Sequence, residues 1–283
     1  MQHKLTKTTV VYREIGGHQI RADLYRPAGN RKVPILVFIH GGALITGHRE
    51  FDVDHSAAAE TRDFHAPEPR LLALAEERGY ALVSFDYRLA PETELPEIIS
   101  DVEAAFTWLA GDAVHKFNLN VDRLVVIGNS AGGYLTLVTR YRVNPMPRAL
   151  VALHGYGNLH ADWYAQPNPY SSYLHPKVTQ DEVAAQSDGR IISNDRDRTG
   201  QGHLIYLYYR QNGLWPQAVS GFDLSSISEK LAPYEPAKNV TRDFPPTLMI
   251  HGTQDTDVPY KGISADGVRI RAPWGSAPSA ADR

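Results

Sequence analysis

The sequence predicts an α/β fold, in which a mostly parallel sheet carries helices on both faces. Three observations lead to this prediction: two alternating segments at the start, short apolar runs that recur along the chain, and stretches of helical length between those runs. No internal repeat or low-complexity linker interrupts the pattern. We therefore expect one domain over residues 1–283.

The predicted elements follow one another in a regular order. Residues 8–13 and 18–25 alternate with a period near two, and Gly16-Gly17 between them is typical of a hairpin turn. Strands buried on both faces need continuous apolar runs, and such runs occur at 34–39, 81–85, 123–127, 149–153 and 247–250. Helical length and periodicity are found at 69–78, 97–110 and 131–142.

Residues 155–245 depart from this order, because they contain no clear buried strand and are rich in Pro, Gly, Asn and aromatic residues. A structureless loop of roughly ninety residues is implausible inside a compact domain. We therefore expect a helical insertion that forms a cap over the carboxyl edge of the sheet. Its aromatic residues could line an apolar pocket or simply form the core of a small cap; they include Tyr156, Trp163, Tyr206 and Trp215.

Composition excludes several classes of function. The net charge of −3 provides no basic surface for nucleic acid, and the absence of cysteine excludes disulfides, thiolate metal sites and a cysteine nucleophile. The longest apolar run, 35–39, is too short to span a bilayer, and the first residues lack the apolar segment of a secretory signal. The expectation is a cytoplasmic protein without a membrane span, a nucleic-acid partner or a bound metal.

The strongest local motif is Gly128-Asn129-Ser130-Ala131-Gly132, between a predicted strand and a predicted helix. This context is typical of a nucleophile elbow, in which the flanking glycines allow a sharp turn that exposes a serine hydroxyl. The same pattern also occurs by chance in glycine-rich turns. The strand–turn–helix context favours Ser130 as a nucleophile.

A second motif, His40-Gly41-Gly42-Ala43, directly follows the predicted strand 34–39. Acyl transfer develops a negative charge on the carbonyl oxygen, and fixed backbone N–H groups stabilise it. Gly41 and Gly42 can present such donors because they lack a Cβ. Together with the amide of Ala131 they would form an oxyanion hole with three donors.

A third motif follows the predicted strand 247–250 and contains His251, Asp255 and Asp257. A carboxylate at this position could orient a catalytic imidazole, and Asp255 is the preferred candidate for that role over Asp257. His251 is expected to brace the loop rather than to act as a base.

Together, these motifs resemble those of the hormone-sensitive-lipase-like esterases of the α/β-hydrolase fold. The chain contains HGGA at 40–43, GNSAGG at 128–133 and HGTQD at 251–255, in the order of that family. The segment from Asp86 to Glu92, DYRLAPE, is similar to a further signature of the family. The resemblance implies a serine carboxylesterase with a small-molecule ester substrate, a cap and no cofactor. Arg88 and Glu92 are expected to form a structural ion pair or hydrogen-bond anchor rather than to take part in catalysis.

One part of the expected triad is missing. A histidine should follow the acid, but none of the twelve histidines lies beyond His251, and 261–283 is an atypical tail rich in Ala, Gly, Ser and Arg. Three explanations remain open: a truncated or frameshifted end that has lost the last strand and its histidine loop, replacement by a histidine such as His154, or a natural non-catalyst. His154 is a candidate because it follows the strand 149–153 at the sheet edge where the site would lie.

The alternative function is a binding protein for an apolar small molecule on the same scaffold, as in plant hormone receptors that resemble this family. A peptidase is a weaker alternative, because amide cleavage requires more of the general acid. A nucleotide-binding protein is excluded by the lack of a glycine-rich phosphate loop after the first strand of the βαβ series. An incomplete last strand would leave a sheet edge to cover, for which a homodimer is one arrangement.

Overall fold

The computed structural model describes residues 5–51 and 70–260. The tail predicted at 261–283, and with it the prediction of an incomplete last strand and histidine loop, lies outside the described residues. In the described part of the chain, strands and helices alternate from β3 to β6, and a long helical segment then separates β6 from β7.

Within residues 5–51 and 70–260 the strands form a seven-stranded sheet in the order β1-β2-β4-β3-β5-β6-β7. Their bounds are β1 Leu5–Ile15, β2 His18–Pro27, β3 Val33–Ile39, β4 Ala81–Phe85, β5 Leu119–Asn129, β6 Ala149–Leu153 and β7 Thr247–Ile250. β1 and β2 form an antiparallel hairpin, β2 pairs antiparallel with β4, and the remaining pairs are parallel. The carboxyl ends of the parallel strands therefore meet at one edge of the sheet.

In the described residues, four helices lie outside the segment between β6 and β7. They are α1 Arg70–Arg78, α2 Leu95–Trp108, α3 Val114–Phe117 and α4 Ala131–Arg142, and a π-helical turn, Leu109–Ala113, joins α2 to α3. The helix predicted at 97–110 begins two residues earlier, because Pro96 fits the first turn of a helix, where its missing N–H costs no hydrogen bond.

The segment between β6 and β7 is helical, as predicted for the insertion at 155–245. Its α-helices are α5 Asp162–Ala165, α6 Ser171–Leu174, α7 Gln180–Ala184, α8 His203–Asn212, α9 Trp215–Ser220, α10 Ile227–Leu231 and α11 Pro236–Asn239. Short 3₁₀ helices occur at Asp195–Asp197, Thr199–Gly202 and Ala232–Tyr234. We refer to residues 155–245 as the insertion.

The central strands of the sheet are buried on both faces, because successive side chains of a strand point to opposite sides and helices cover each face. Along β3, Ile35, Val37 and Ile39 pack into the larger core cluster with α2, α4 and part of the insertion. Leu36 and Phe38 point the other way and pack with α1. The predicted α/β fold with helices on both faces is confirmed.

Candidate active site

Ser130 lies at a sharp turn between β5 and α4. Its backbone angles, φ 52° and ψ −120°, lie in a region that residues with a Cβ rarely adopt. The turn packs tightly: a Cβ at Gly132 would collide with the carbonyl oxygen of Ile39, and a Cβ at Gly128 with that of Gly132. The Ser130 amide donates to the carbonyl oxygen of Leu153 on β6 at 2.8 Å. The predicted strand–turn–helix is therefore formed, with the serine at its apex.

The segment 40–47, which we call the 40–47 turn, follows β3 and adopts an unusual backbone. Gly42, Ala43 and Leu44 have φ of 97°, 55° and 63°, so three successive residues lie in the left-handed region. The carbonyl oxygen of Gly42 accepts hydrogen bonds from the amides of Ile45 and Thr46, both at 2.9 Å. Only the glycine adopts such angles without steric cost.

The 40–47 turn lies directly against the serine turn. A Cβ at Gly41 would be 2.8 Å from the carbonyl oxygen of Asn129 and 3.3 Å from the Cβ of Ser130. Within residues 5–51 and 70–260, the amides of Gly41, Gly42 and Ala131 donate no hydrogen bond to a protein acceptor. Of the three predicted oxyanion donors, Gly41 thus packs against Ser130, Ala131 is the next residue after Ser130, and Gly42 follows Gly41 in the chain.

The loop after β7 is organised around Asp255. One oxygen of its carboxylate accepts from the amides of Asp257 and Val258, each at 2.9 Å, and the other lies 3.4 Å from His251 Nε2. His251 Nε2 also donates to the carbonyl oxygen of Val258 at 2.6 Å. His251 therefore braces the loop, as expected from the sequence, and Asp255 is fixed at the carboxyl edge of the sheet.

Asp257 is held by hydrogen bonds from the insertion. The hydroxyl of Tyr206 donates to its carboxylate, and Arg210 Nη2 donates to its carbonyl oxygen at 3.0 Å. The Arg210 guanidinium is fully buried and lies over the ring of Tyr164, 4.7 Å from its centre. Asp257 therefore connects the loop to α8.

His154 follows β6 and lies close to the same loop. Its φ is 39°, and its amide donates to the carbonyl oxygen of Ile250 on β7 at 2.7 Å. Its ring centre lies 6.5 Å from that of His251, with the rings perpendicular. Burial lowers the pKa of His154 against the opposing effect of the Asp255 carboxylate, so the imidazole is neutral near pH 7.

Arg88 and Glu92 are separate structural anchors and do not pair with each other. Arg88 Nε binds Asp101 of α2 at 2.7 Å, whereas Glu92 binds Arg198 of the insertion. Of the two arrangements expected from the sequence, an ion pair or a hydrogen-bond anchor, the structure has the second.

The sequence left two arrangements open for the aromatic residues of the insertion, a pocket wall or the core of a small cap. Tyr156 and Trp215 are each only 1% exposed. They pack against Tyr164, with the Trp215 ring stacked on it at 4.0 Å between centres. Trp163 and Tyr206 are partly buried around this cluster. These rings form the core of the insertion.

Sequence reasoning missed the residues of the insertion that contact the site. Arg198, Arg210 and Asp195 are buried although they are charged, and each binds a group on the 40–47 turn or on the loop after β7. The available signal was an arginine inside the apolar stretch HLIYLYYRQN of α8. A buried charge in such a stretch requires a partner.

The structure provides two further findings about the described residues. No group of three or more His, Cys, Asp or Glu side chains there is arranged to hold a metal ion. None of the helices described is both long enough and apolar enough to cross a bilayer.

Comparisons with known proteins agree with the geometry. The family model BD-FAE matches residues 22–147, which include the 40–47 turn and the serine turn. The structure of an α/β-hydrolase superfamily protein from Enterococcus faecalis superposes with a TM-score of 0.68 at 22% identity, covering 94% of this chain and 85% of that one. This likeness shows the α/β-hydrolase fold.

Curated relatives include two esterases of Mycobacterium tuberculosis. LipN, a carboxylic ester hydrolase, is 34% identical over 138 residues, which cover 46% of this chain and 32% of LipN. The esterase LipC is 25% identical over 242 residues, 86% of this chain and 49% of LipC. The non-reducing polyketide synthase Preu6 of Preussia isomera is 26% identical over 285 residues, 89% of this chain and 12% of the synthase. The chain thus spans less than half the length of each of these relatives.

Proposed function

We propose that the chain hydrolyses carboxylic esters of small molecules through an acyl-enzyme on Ser130. The observation that carries this proposal is the strained Ser130 with Gly41 packed against it; the amides of Gly41, Gly42 and Ala131 have no protein acceptor in the described residues. Backbone strain of this kind is maintained where the surrounding structure requires it, and it concentrates at functional sites.

In the proposed reaction, Ser130 Oγ attacks the ester carbonyl carbon and its proton passes to an imidazole. The carbonyl oxygen becomes an oxyanion, which accepts hydrogen bonds from the amides of Gly41, Gly42 and Ala131. The tetrahedral intermediate then collapses, and the imidazole returns its proton to the leaving alcohol. Water hydrolyses the acyl-enzyme by the same steps and restores the serine.

We assign the role of the base to His154 and that of the orienting carboxylate to Asp255. Ser130 donates its amide to the residue before His154, so the two residues end adjacent strands at the same edge of the sheet. The imidazole interacts electrostatically with Asp255, and its lowered pKa keeps it in the neutral form that a base requires. His251 is less suitable, because its Nε2 already donates to the carbonyl oxygen of Val258.

The test is the initial rate of p-nitrophenyl butyrate hydrolysis by the 283-residue chain and three variants. Ser130→Ala should reduce the rate to background, since it removes the nucleophile. His154→Ala should lower kcat by about 10²- to 10⁴-fold, the usual contribution of a general base. His115→Gln, at an exposed position on α3, is the matched control and should hydrolyse the ester as the parent does.

A fluorophosphonate label provides a second measurement, because it reacts covalently with an activated serine. Intact mass should show one label on the parent and none on Ser130→Ala. Hydrolysis that persists in Ser130→Ala would contradict the proposed nucleophile. Hydrolysis that depends on Ser130 but survives in His154→Ala would contradict only the proposed base. A parent that neither turns over nor accepts the label would favour a small-molecule binding protein.

A further inference from the structure

The 40–47 turn has a conformation that its own sequence does not favour. Ala43 and Leu44 carry a Cβ and still adopt positive φ, a region that residues with a Cβ enter only at a steric cost. Two hydrogen bonds to the Gly42 carbonyl close the turn locally, but they leave the carbonyl groups of Ala43 and Ile45 without a local partner. A turn of this kind is maintained only when outside contacts determine it.

Three side chains of the insertion supply those contacts at alternate residues of the turn. Trp215 Nε1 donates to the carbonyl oxygen of Ala43 at 2.9 Å. Arg198 Nη1 donates to the carbonyl oxygen of Ile45 at 2.6 Å, and the amide of Gly47 donates to Asp195 Oδ2 at 2.6 Å. All three hydrogen bonds are buried, so water does not compete for them.

These side chains are themselves fixed. The Trp215 ring is stacked on Tyr164, and the Arg198 guanidinium also binds Glu92 and the carbonyl oxygen of Ala90. Because Glu92 and Ala90 belong to the segment after β4, the insertion and the sheet edge hold the turn from two sides. The donors of the proposed oxyanion hole, Gly41 and Gly42, lie at the start of this turn.

We propose that Trp215, Arg198 and Asp195 are positioning residues that hold the 40–47 turn in its active conformation, so that the insertion completes the oxyanion hole. This inference rests on the proposed function. None of the three touches the reacting atoms; they act through the amides of Gly41 and Gly42. The full negative charge develops in the transition state, so a displaced donor should lower kcat and leave KM largely unchanged.

Trp215→Phe tests the proposal, since it keeps an aromatic ring against Tyr164 and removes the N–H that binds Ala43. For p-nitrophenyl butyrate hydrolysis, kcat should be about 10- to 100-fold lower than that of the parent, and KM should stay within about twofold. A loss of this size is expected when a hydrogen-bond donor is displaced by up to about 1 Å. Trp108→Phe is the matched control, because Trp108 lies on α2 and packs against Tyr12. Its kcat and KM should match those of the parent.

Two measurements separate positioning from a general loss of stability. A trifluoromethyl ketone, which forms an anionic adduct with the serine, should bind Trp215→Phe more weakly by the same factor as the loss in kcat/KM. Hydrogen exchange of peptides that cover residues 40–47 should be faster in Trp215→Phe and unchanged in Trp108→Phe. If Trp215→Phe does not fold, Asp195→Ala and Asp195→Asn make the same comparison, because asparagine keeps an acceptor for the Gly47 amide and should restore kcat.

Unchanged exchange in the 40–47 peptides, or a kcat equal to that of the parent, would overturn the proposal. These residues would have a purely structural role if KM rose by the same factor as kcat fell while the folded protein bound the ketone as tightly as the parent does. Failure of the proposed function is distinct, because the parent itself would then show no label on Ser130. In that case the exchange measurement still reports whether the insertion holds the turn.

Discussion

At the residue scale, the glycines of the serine turn are required by contact rather than by backbone angles alone. Gly128 and Gly132 do not need positive φ, but a Cβ on Gly128 would overlap a carbonyl group of α4 and a Cβ on Gly132 would overlap one of β3. Their role is to let α4 approach β3 and β5 closely enough to place Ser130 beside the 40–47 turn.

Gly132→Ala should therefore lower the free energy of unfolding by about 2–4 kcal/mol, at the upper end of the cost of overpacking. Urea unfolding measures this change. Gly111→Ala is the control: Gly111 lies in the π-helical turn, a Cβ there meets nothing within 4 Å, and helical glycine costs about 0.5–1 kcal/mol relative to alanine. The control should be neutral or slightly stabilised. A loss below about 1 kcal/mol in Gly132→Ala would contradict the steric argument.

The sequence was informative about these positions for a physical reason. Gly41, Gly42, Gly128 and Gly132 stand in short motifs whose local context already fixes a turn between a strand and the next element. The positive φ of Ala43 and Leu44 could not be predicted, because it depends on hydrogen bonds from residues about 150 or more positions away.

At the element scale, α8 connects the insertion to the loop that carries Asp255. Arg210 is the centre of this connection: its guanidinium donates to the carbonyl oxygens of Trp163 and Asp257 and lies over the ring of Tyr164. The Asp257 amide in turn donates to the Asp255 carboxylate. A change in α8 should therefore reach Asp255 through two hydrogen bonds, one from Arg210 to the Asp257 carbonyl oxygen and one from the Asp257 amide to the Asp255 carboxylate.

Arg210→Leu should lower the free energy of unfolding by about 3–5 kcal/mol, because it leaves buried carbonyl groups without donors and removes a cation from the aromatic cluster. Arg190→Leu is the control, since Arg190 binds Asp188 at the surface and both side chains are more than half exposed. Its effect should stay below about 0.5 kcal/mol. The loss of stability is measured by thermal unfolding of both variants. Equal transition temperatures would contradict the stabilising role of Arg210.

The elements differ in how well the sequence predicts them. The strands at 81–85, 149–153 and 247–250 match the structure to the residue, since buried parallel strands produce continuous apolar runs. The helices of the insertion were not resolved individually, because most have four to six residues, too few for a 3.6-residue period to repeat. The partners of Arg88 and Glu92 could not be read from their short motif, because Asp101 lies on the next helix and Arg198 on the insertion.

At the scale of the whole molecule, β7 ends the sheet in the described part of the chain. Leu248 and Ile250 point from this strand to solvent and are 55% and 54% exposed. A strand edge with exposed apolar side chains favours association with another strand or surface. The homodimer considered from the sequence remains a prediction, and β7 is the surface through which we expect it.

Ile250→Lys should then shift the protein toward monomer in analytical ultracentrifugation at micromolar concentrations, because a charge would be buried in the contact. Leu224→Lys is the matched control, since Leu224 is 65% exposed on the insertion and its replacement should leave the association unchanged. A parent that sediments as a monomer over the whole concentration range would contradict this prediction.

The hydrogen bond between Trp215 and Ala43 joins residues that are 172 positions apart. On a ribosome, the segment that follows β3 would therefore emerge long before its distant partner exists. A nascent chain that ends before residue 215 would have the serine turn and both glycine donors but lack this support. We infer that competence for the proposed chemistry would be acquired late in synthesis, when the polypeptide has grown past the aromatic core of the insertion.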